Sequence, residues 1–413
     1  MKLTNKFLIG FMAIAACGCG QKQSDNPLLN DFTTPYGIAP FEEITIDNYR
    51  EGILLGMEEQ KAEIEAIINN PEEPTFQNTI VAMDQSGKLL RKVRGTFSPL
   101  TSSNSTEESR ALEKELSPLM SAHSDDINLN EKLFARVKKV YDNRENIKLT
   151  PEEKTVLENI YKRFVNSGAE LSETEKEKLR ELNQQLSMLE LTFSQNLLHE
   201  TNNTFVVANS LEELKGLPQA NIDAAAKMAA DNGQPGKWMF NMQRPSCNPV
   251  LQYCENRDLR KKVYDAYYNR GNTGNEYDSK EICRQLVTLR LEKAKLMGYN
   301  NYAEMVLEDR MAKTPEAVFE LLDQVWEPAV AKAKEELDDI RAEIRKEGKN
   351  FEPAGWDYMY YLDKAKRAKY SVDEQEIREY MEINNVMKGV FHVATQLYGV
   401  TFKEITEIGR AHV

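Results

Sequence analysis

Four histidines, His123, His199, His392 and His412, are the natural starting point for chemistry in this 413-residue chain. Paired imidazoles four residues apart lie on one helix face and can hold a hydrolytic metal. No two of the four stand at that spacing, and H-E-x-x-H does not occur. His123 follows a helical run in LMSAHSDD, and His392 lies in the apolar run VFHVATQLYG, so both read as packed or capping residues. Cys247, Cys254 and Cys283 are odd in number, widely spaced and without a C-x-x-C pair, which fits neither a disulfide framework nor a zinc knuckle. They read as small buried hydrophobes. No phosphate-cradling G-x-x-x-x-G-K-[ST] and no G-x-S-x-G nucleophile turn is present. The abundant carboxylates are accounted for by solvated helix faces. The stretch GWDYMYYLDKAKRAKY is the richest in aromatics, and its tyrosines line either a peptide cleft or the core. Residue chemistry alone therefore assigns no catalytic, cofactor-binding or metal-ligating residue.

The net charge is −13, spread along the chain without a charged tail. It opposes binding to phosphate backbones and so disfavours a nucleic-acid partner. It suits a body that meets neutral or basic peptides, or is simply a solvated acidic surface. The opening MKLTNKFLIGFMAIAACGCGQKQSDNPLL has a positive start at Lys2 and Lys6. An apolar core from Phe7 to Ala16, too short to span a bilayer, follows it. Ala15 and Ala16 before Cys17 resemble a bacterial lipoprotein box. Residues 1–16 are then a signal peptide, Cys17 the lipidated residue, and 17–31 a polar tether. Cys19 is a second candidate, and a plain secretory signal is the alternative. The lipoprotein reading places a soluble body on the bacterial envelope, anchored in the membrane by lipid only and facing the periplasm.

The elements that follow are almost all helical in period. Thr150-Pro151-Glu152-Glu153 is a capping box with proline at the first helical position. Ser172-x-x-Glu175 opens the next helix, whose Leu179, Leu182, Leu186, Leu189 and Phe193 form one apolar stripe. Thr314-Pro315 starts a long helix in which Pro328 predicts a kink. Ser371-x-x-Glu374 predicts another, running through Ile377, Tyr380, Val390 and Leu397 to Gly399, with its stripe facing a core. Only Asn203–Ala208 and Lys237–Met242 read as strands, with a short helix from Asn221 to Ala230 between them. The expected fold is mostly α: a large helical body with a small β insertion near 203–242.

Seven blocks in series carry a family resemblance. Among them are PYGIAPFEEITIDNYREGILLGMEEQKAEIEAI, RPSCNPVLQYCENRDLRKKVYDAYYNRG and WDYMYYLDKAKRAKYSVDEQEIREYMEINNVMKGVFHVATQLYGVTFKEI. From Pro35 to about Thr406 the chain resembles the amino-terminal portion of the thimet oligopeptidase family of zinc metallopeptidases, and within it the bacterial peptidyl-dipeptidases. The resemblance implies a two-lobed helical body that cuts short peptides in a channel. It implies one zinc ion held by an H-E-x-x-H helix and a further glutamate, the first glutamate activating the metal-bound water. Those positions have no counterpart in this chain, so no catalytic or metal residue is carried over.

The resulting organisation is residues 32–200 as an amino-terminal helical region, 201–245 as a strand-helix-strand insertion, and 246–406 as a helical region leading to an absent catalytic domain. Residues 407–413, EIGRAHV, resemble a translated sequencing adapter, with a natural divergent terminus as the alternative. The chain alone is expected to be inactive. Its complete product is expected to be a monomeric zinc peptidyl-dipeptidase acting on short peptides. A broader endo-acting oligopeptidase and a non-catalytic helical peptide-binding lipoprotein are the alternatives.

Overall fold

A computed structural model describes residues 24–371 and 374–404. The segment 1–16, Cys17, Cys19, His412 and the stretch 407–413 lie outside the described residues. The helices in order are α1 (Ile46–Ile68), α2 (Ala82–Gln85), α3 (Lys88–Ser103), α4 (Glu107–Asn128), α5 (Glu131–Asp142), α6 (Pro151–Asn166) and α7 (Glu173–Asn203). Strand β1 (Phe205–Ala208), α8 (Gln219–Asp231) and strand β2 (Trp238–Asn241) follow. The chain continues through α9 (Arg244–Tyr253), α10 (Arg257–Tyr268), α11 (Lys280–Leu296), α12 (Tyr302–Leu307) and α13 (Pro315–Lys346). It closes on α14 (Gly355–Tyr370), α15 (Glu374–Tyr380) and α16 (Ile383–Tyr398). The fold is mostly α, as the periodicity predicts. Among the described residues no helix is long and apolar enough to cross a membrane.

The described residues form two compact units, 24–66 with 85–109, and 67–84 with 110–404. In the first, α1 and α3 pack through Tyr49, Ile53, Val93 and Phe97, all buried, with the Tyr49 and Phe97 rings 5.0 Å apart. Gly56 permits the close approach: a Cβ there would lie 2.8 Å from the Leu90 backbone. Within the stretch read as a tether, Leu28 is fully buried. The Asn26 amide donates to the Asn48 carbonyl at 3.0 Å and to the Glu51 carboxylate at 2.9 Å.

In the second unit the caps set the helices. Thr150 Oγ1 accepts from the Glu153 N–H, and the Glu153 carboxylate accepts from the Thr150 N–H at 2.8 Å. The Glu175 carboxylate accepts from the Ser172 N–H at 2.9 Å, and Leu179, Leu182 and Leu186 of α7 are buried. Thr314 caps α13, which continues through Pro328 as one helix. Strands β1 and β2 pair antiparallel, Phe205 opposite Asn241 and Ala208 opposite Trp238, with α8 between them in sequence.

Several expectations change. The helix read from Ser371 to Gly399 is two: α15 ends at Tyr380, and the Glu382 side chain caps a new start at Asn385 N–H, 3.0 Å away. Ser371 ends α14 in the left-handed region, φ 53°. The stripe assigned to a core is exposed, Ile377, Tyr380, Val390 and Leu397 included. His123 lies inside α4 rather than after a helix, His392 is exposed rather than packed, and Cys283 is exposed whereas Cys247 and Cys254 are buried.

Candidate functional site

A dense polar and aromatic assembly lies where α14 meets α9, α10 and α13. Asn256 caps α10 by accepting from the Asp258 and Leu259 N–H groups at 3.1 and 3.2 Å. That start sets Arg257 and Arg260, three residues apart, on one helix face. Across from them the Asp357 carboxylate is fully buried in the first turn of α14 and accepts from the Ala354 N–H at 3.0 Å. Arg257 grips it with two nitrogens, Nε at 3.0 Å and Nη2 at 2.7 Å, and Arg260 adds Nη2 at 2.9 Å. Burial alone would raise the Asp357 pKa. The bonds from Arg257, the Ala354 N–H and Arg260 outweigh it and hold the group below the ordinary carboxylate range.

The guanidinium groups also fix the aromatic run. Arg260, 1% exposed, donates to the carbonyls of Cys254 and Trp356 at 2.8 and 3.1 Å and lies 4.1 Å from the Tyr360 ring centroid. Arg257 sits 4.3 Å over Phe351. Tyr360 and Tyr361 are buried with Ile340 and Ile344 of α13, so half of the tyrosine run is core. At the end of α13, Glu347 accepts from Tyr361 Oη at 2.9 Å and from Lys349 at 2.8 Å, and also binds Lys364. Burial opposes ionisation of Glu347, but these three partners prevail and lower its pKa to about 2.

The other tyrosines open onto solvent. Tyr264 and Tyr268 of α10, with rings 4.3 Å apart, and Tyr358 of α14 line a hollow of about 350 Å³ together with Leu251, Leu337 and Met359. Gly355 forms part of its wall, and a Cβ at that position would overlap the Tyr264 hydroxyl. The Tyr358 hydroxyl donates to Glu336 at 3.4 Å. Burial, and then the Glu336 charge, push the Tyr358 phenol up, so it stays a donor. Sequence reading found the aromatic run but not the arginine clamp, because Arg257 and Asp357 are about a hundred residues apart. The one local signal was the i, i+3 arginine pair after a capping asparagine.

The three described histidines are not brought together. His123 sits in α4. His199 is in α7, stacked on Tyr277 with ring centroids 3.8 Å apart, and His392 is on the exposed α16. A zinc site needs about three protein ligands converging on one point. Among the described residues no group of three or more His, Cys, Asp or Glu is placed to hold a metal ion. The described residues therefore do not fit the zinc that the resemblance implies.

Residues 250–412 match the family model described as Peptidase family M3. The chain is 35% identical over 388 residues to a dipeptidyl carboxypeptidase of Escherichia coli, covering 94% of this chain and 57% of that protein. It is 34% identical to the dipeptidyl carboxypeptidase of Salmonella typhimurium over the same shares. To an oligopeptidase A of Haemophilus influenzae it is 30% identical, over 91% of this chain and 55% of that protein. The chain thus spans a little over half the length of these relatives. Similarity runs through nearly all of the chain's residues, and over 250–412, which take in the clamp, the hollow and the helices beyond them, the chain is similar to the family M3 peptidases.

Proposed function

We propose that this chain forms part of a zinc-dependent peptidase that removes dipeptides from the carboxyl ends of short peptides in the cell envelope. The observation that carries the reading is the 35% identity to a dipeptidyl carboxypeptidase, sustained over 94% of the chain. The chain itself is proposed to be inactive, its metal ligands belonging to polypeptide outside these residues. That part of the reading is supported by the 57% coverage of the relative and the absence of a metal-binding group among the described residues. The envelope location rests on the sequence around Cys17, and a lipid at that thiol would tether a soluble body to the membrane. The peptidase is proposed to act as a monomer.

The similarity to oligopeptidase A favours a second reading, cleavage inside peptides rather than at their ends. The complete gene product, incubated with a nine-residue peptide of free carboxyl terminus, separates the two by mass spectrometry. Successive loss of dipeptides from the carboxyl end is the expected result. Internal fragments favour the endo-acting reading, and an intact peptide leaves a non-catalytic peptide-binding protein. Cys17→Ser is expected to shift the protein from the membrane fraction to the soluble one. A wild type found wholly in the soluble periplasm contradicts the anchor.

A further inference from the structure

We propose that the apolar faces of α16 and of the amino-terminal half of α13 are the seat on which the remaining polypeptide of the complete gene product packs. This rests on the peptidase reading, in which these residues are part of a longer product. Near the end of α13, Ile340 and Ile344 are buried with Tyr360 and Tyr361 of α14. Leu322 and Trp326 precede those two isoleucines by about five helical turns each, so they continue the same side of α13. Phe319 and Val325 fall beside them, and Glu320, Asp323 and Glu327 fall on the other side. Yet Phe319, Leu322, Val325 and Trp326 are all exposed. One stripe is thus seated on α14 at one end and uncovered at the other.

On α16, Ile383, Met387, Val390, Phe391 and Leu397 recur at helical spacing, with Asn385, Lys388, His392 and Gln396 opposite them. A helix patterned in this way lays its apolar side on a core. Here all five apolar residues are exposed, and α16 buries none of its residues. The occupant follows from continuity, length and charge. The α13 stripe extends an interface that the fold already makes with α14. The chain spans 57% of the Escherichia coli dipeptidyl carboxypeptidase, and the match to family M3 over 250–412 runs through both helices. A product of that length has further polypeptide to bring to these faces. Lys388 is the only charged residue between 383 and 402, so the face suits an apolar protein surface rather than a charged ligand. A second copy would bring another −13, which opposes tight pairing of copies.

Hydrogen–deuterium exchange read by mass spectrometry, on this chain and on the complete gene product, tests this. The amides of 319–326 and 383–398 are expected to exchange at least about tenfold more slowly in the complete product, because covered helices open less often. Val390→Asp is expected to leave the urea midpoint of this chain unchanged, since Val390 is exposed. In the complete product it would bury a charge and is expected to lower the midpoint by about 1 M. Equal exchange of either helix in the two proteins, or a Val390→Asp midpoint unchanged in the complete product, overturns the proposal. So does protection that rises with protein concentration, which would give the faces to a second copy. A complete product that protects both helices but cleaves no peptide would sink the peptidase reading alone. An active one whose helices exchange as fast as in this chain would sink the docking alone.

Discussion

Asp357 holds the α10–α14 corner at the scale of a single residue, because two arginines and a backbone N–H converge on one buried carboxylate. Removing one partner of such a group leaves an uncompensated buried charge, which costs about 3–5 kcal/mol. Asp357→Ala is therefore expected to lower the urea midpoint by an amount corresponding to about 3–5 kcal/mol, and a loss under about 1 kcal/mol would contradict the clamp. Glu347 makes a pH prediction. Its folded pKa is about 2 against the model-peptide value of 4.5, so ionisation favours folding. The contribution is fully present above pH 4.5 and is lost as pH falls toward 2. Glu347→Gln is expected to flatten the acid arm of the stability curve between pH 5 and 3, measured by urea midpoints, and an arm as steep as the wild type's would contradict the assignment. At this scale the sequence was partly legible. Cys247 and Cys254 are buried as small apolar residues should be, but Cys283 and His392 are exposed. Composition of the local run cannot tell which face of a helix is covered.

At the scale of elements, local chemistry was readable wherever it was self-contained. The Thr150–Glu153 box, the Ser172 start and the Thr314 start each act within four residues, and the strands at 205–208 and 238–241 follow from β-branched and aromatic runs between turn residues. Thr150→Ala is expected to cost about 1 kcal/mol of stability, read by chemical denaturation, because the Glu153 N–H loses its acceptor. No measurable loss would mean that α6 is fixed by packing alone. The break between α15 and α16 was not readable. Its cap is a glutamate, Glu382, reaching the Asn385 N–H, and glutamate is not among the favoured capping residues. The clamp was illegible for another reason: its partners meet only after α10 and α14 have packed.

The whole molecule was legible chiefly through the resemblance carried by its sequence blocks, which the match to family M3 over 250–412 bears out. What period and composition could not show is how much apolar surface stays uncovered. On α13, Phe319, Leu322, Val325 and Trp326 are exposed, Trp326 at 69%, and α16 buries no residue at all, with Leu397 at 68%. Exposed faces of this kind mark interaction surfaces. The purified chain is accordingly expected to bind an anionic naphthalene dye and to self-associate with rising concentration, and a dye-silent, strictly monomeric chain would contradict the exposure. We propose that these residues are part of a zinc peptidase whose metal ligands lie in other polypeptide. The test is to measure metal content and peptide hydrolysis side by side, on this chain and on the complete gene product. About one zinc per complete product is expected, with hydrolysis lost on chelation and restored by zinc, and neither stoichiometric zinc nor cleavage for this chain. Zinc-dependent cleavage by this chain alone, or a complete product that holds no zinc, would contradict it.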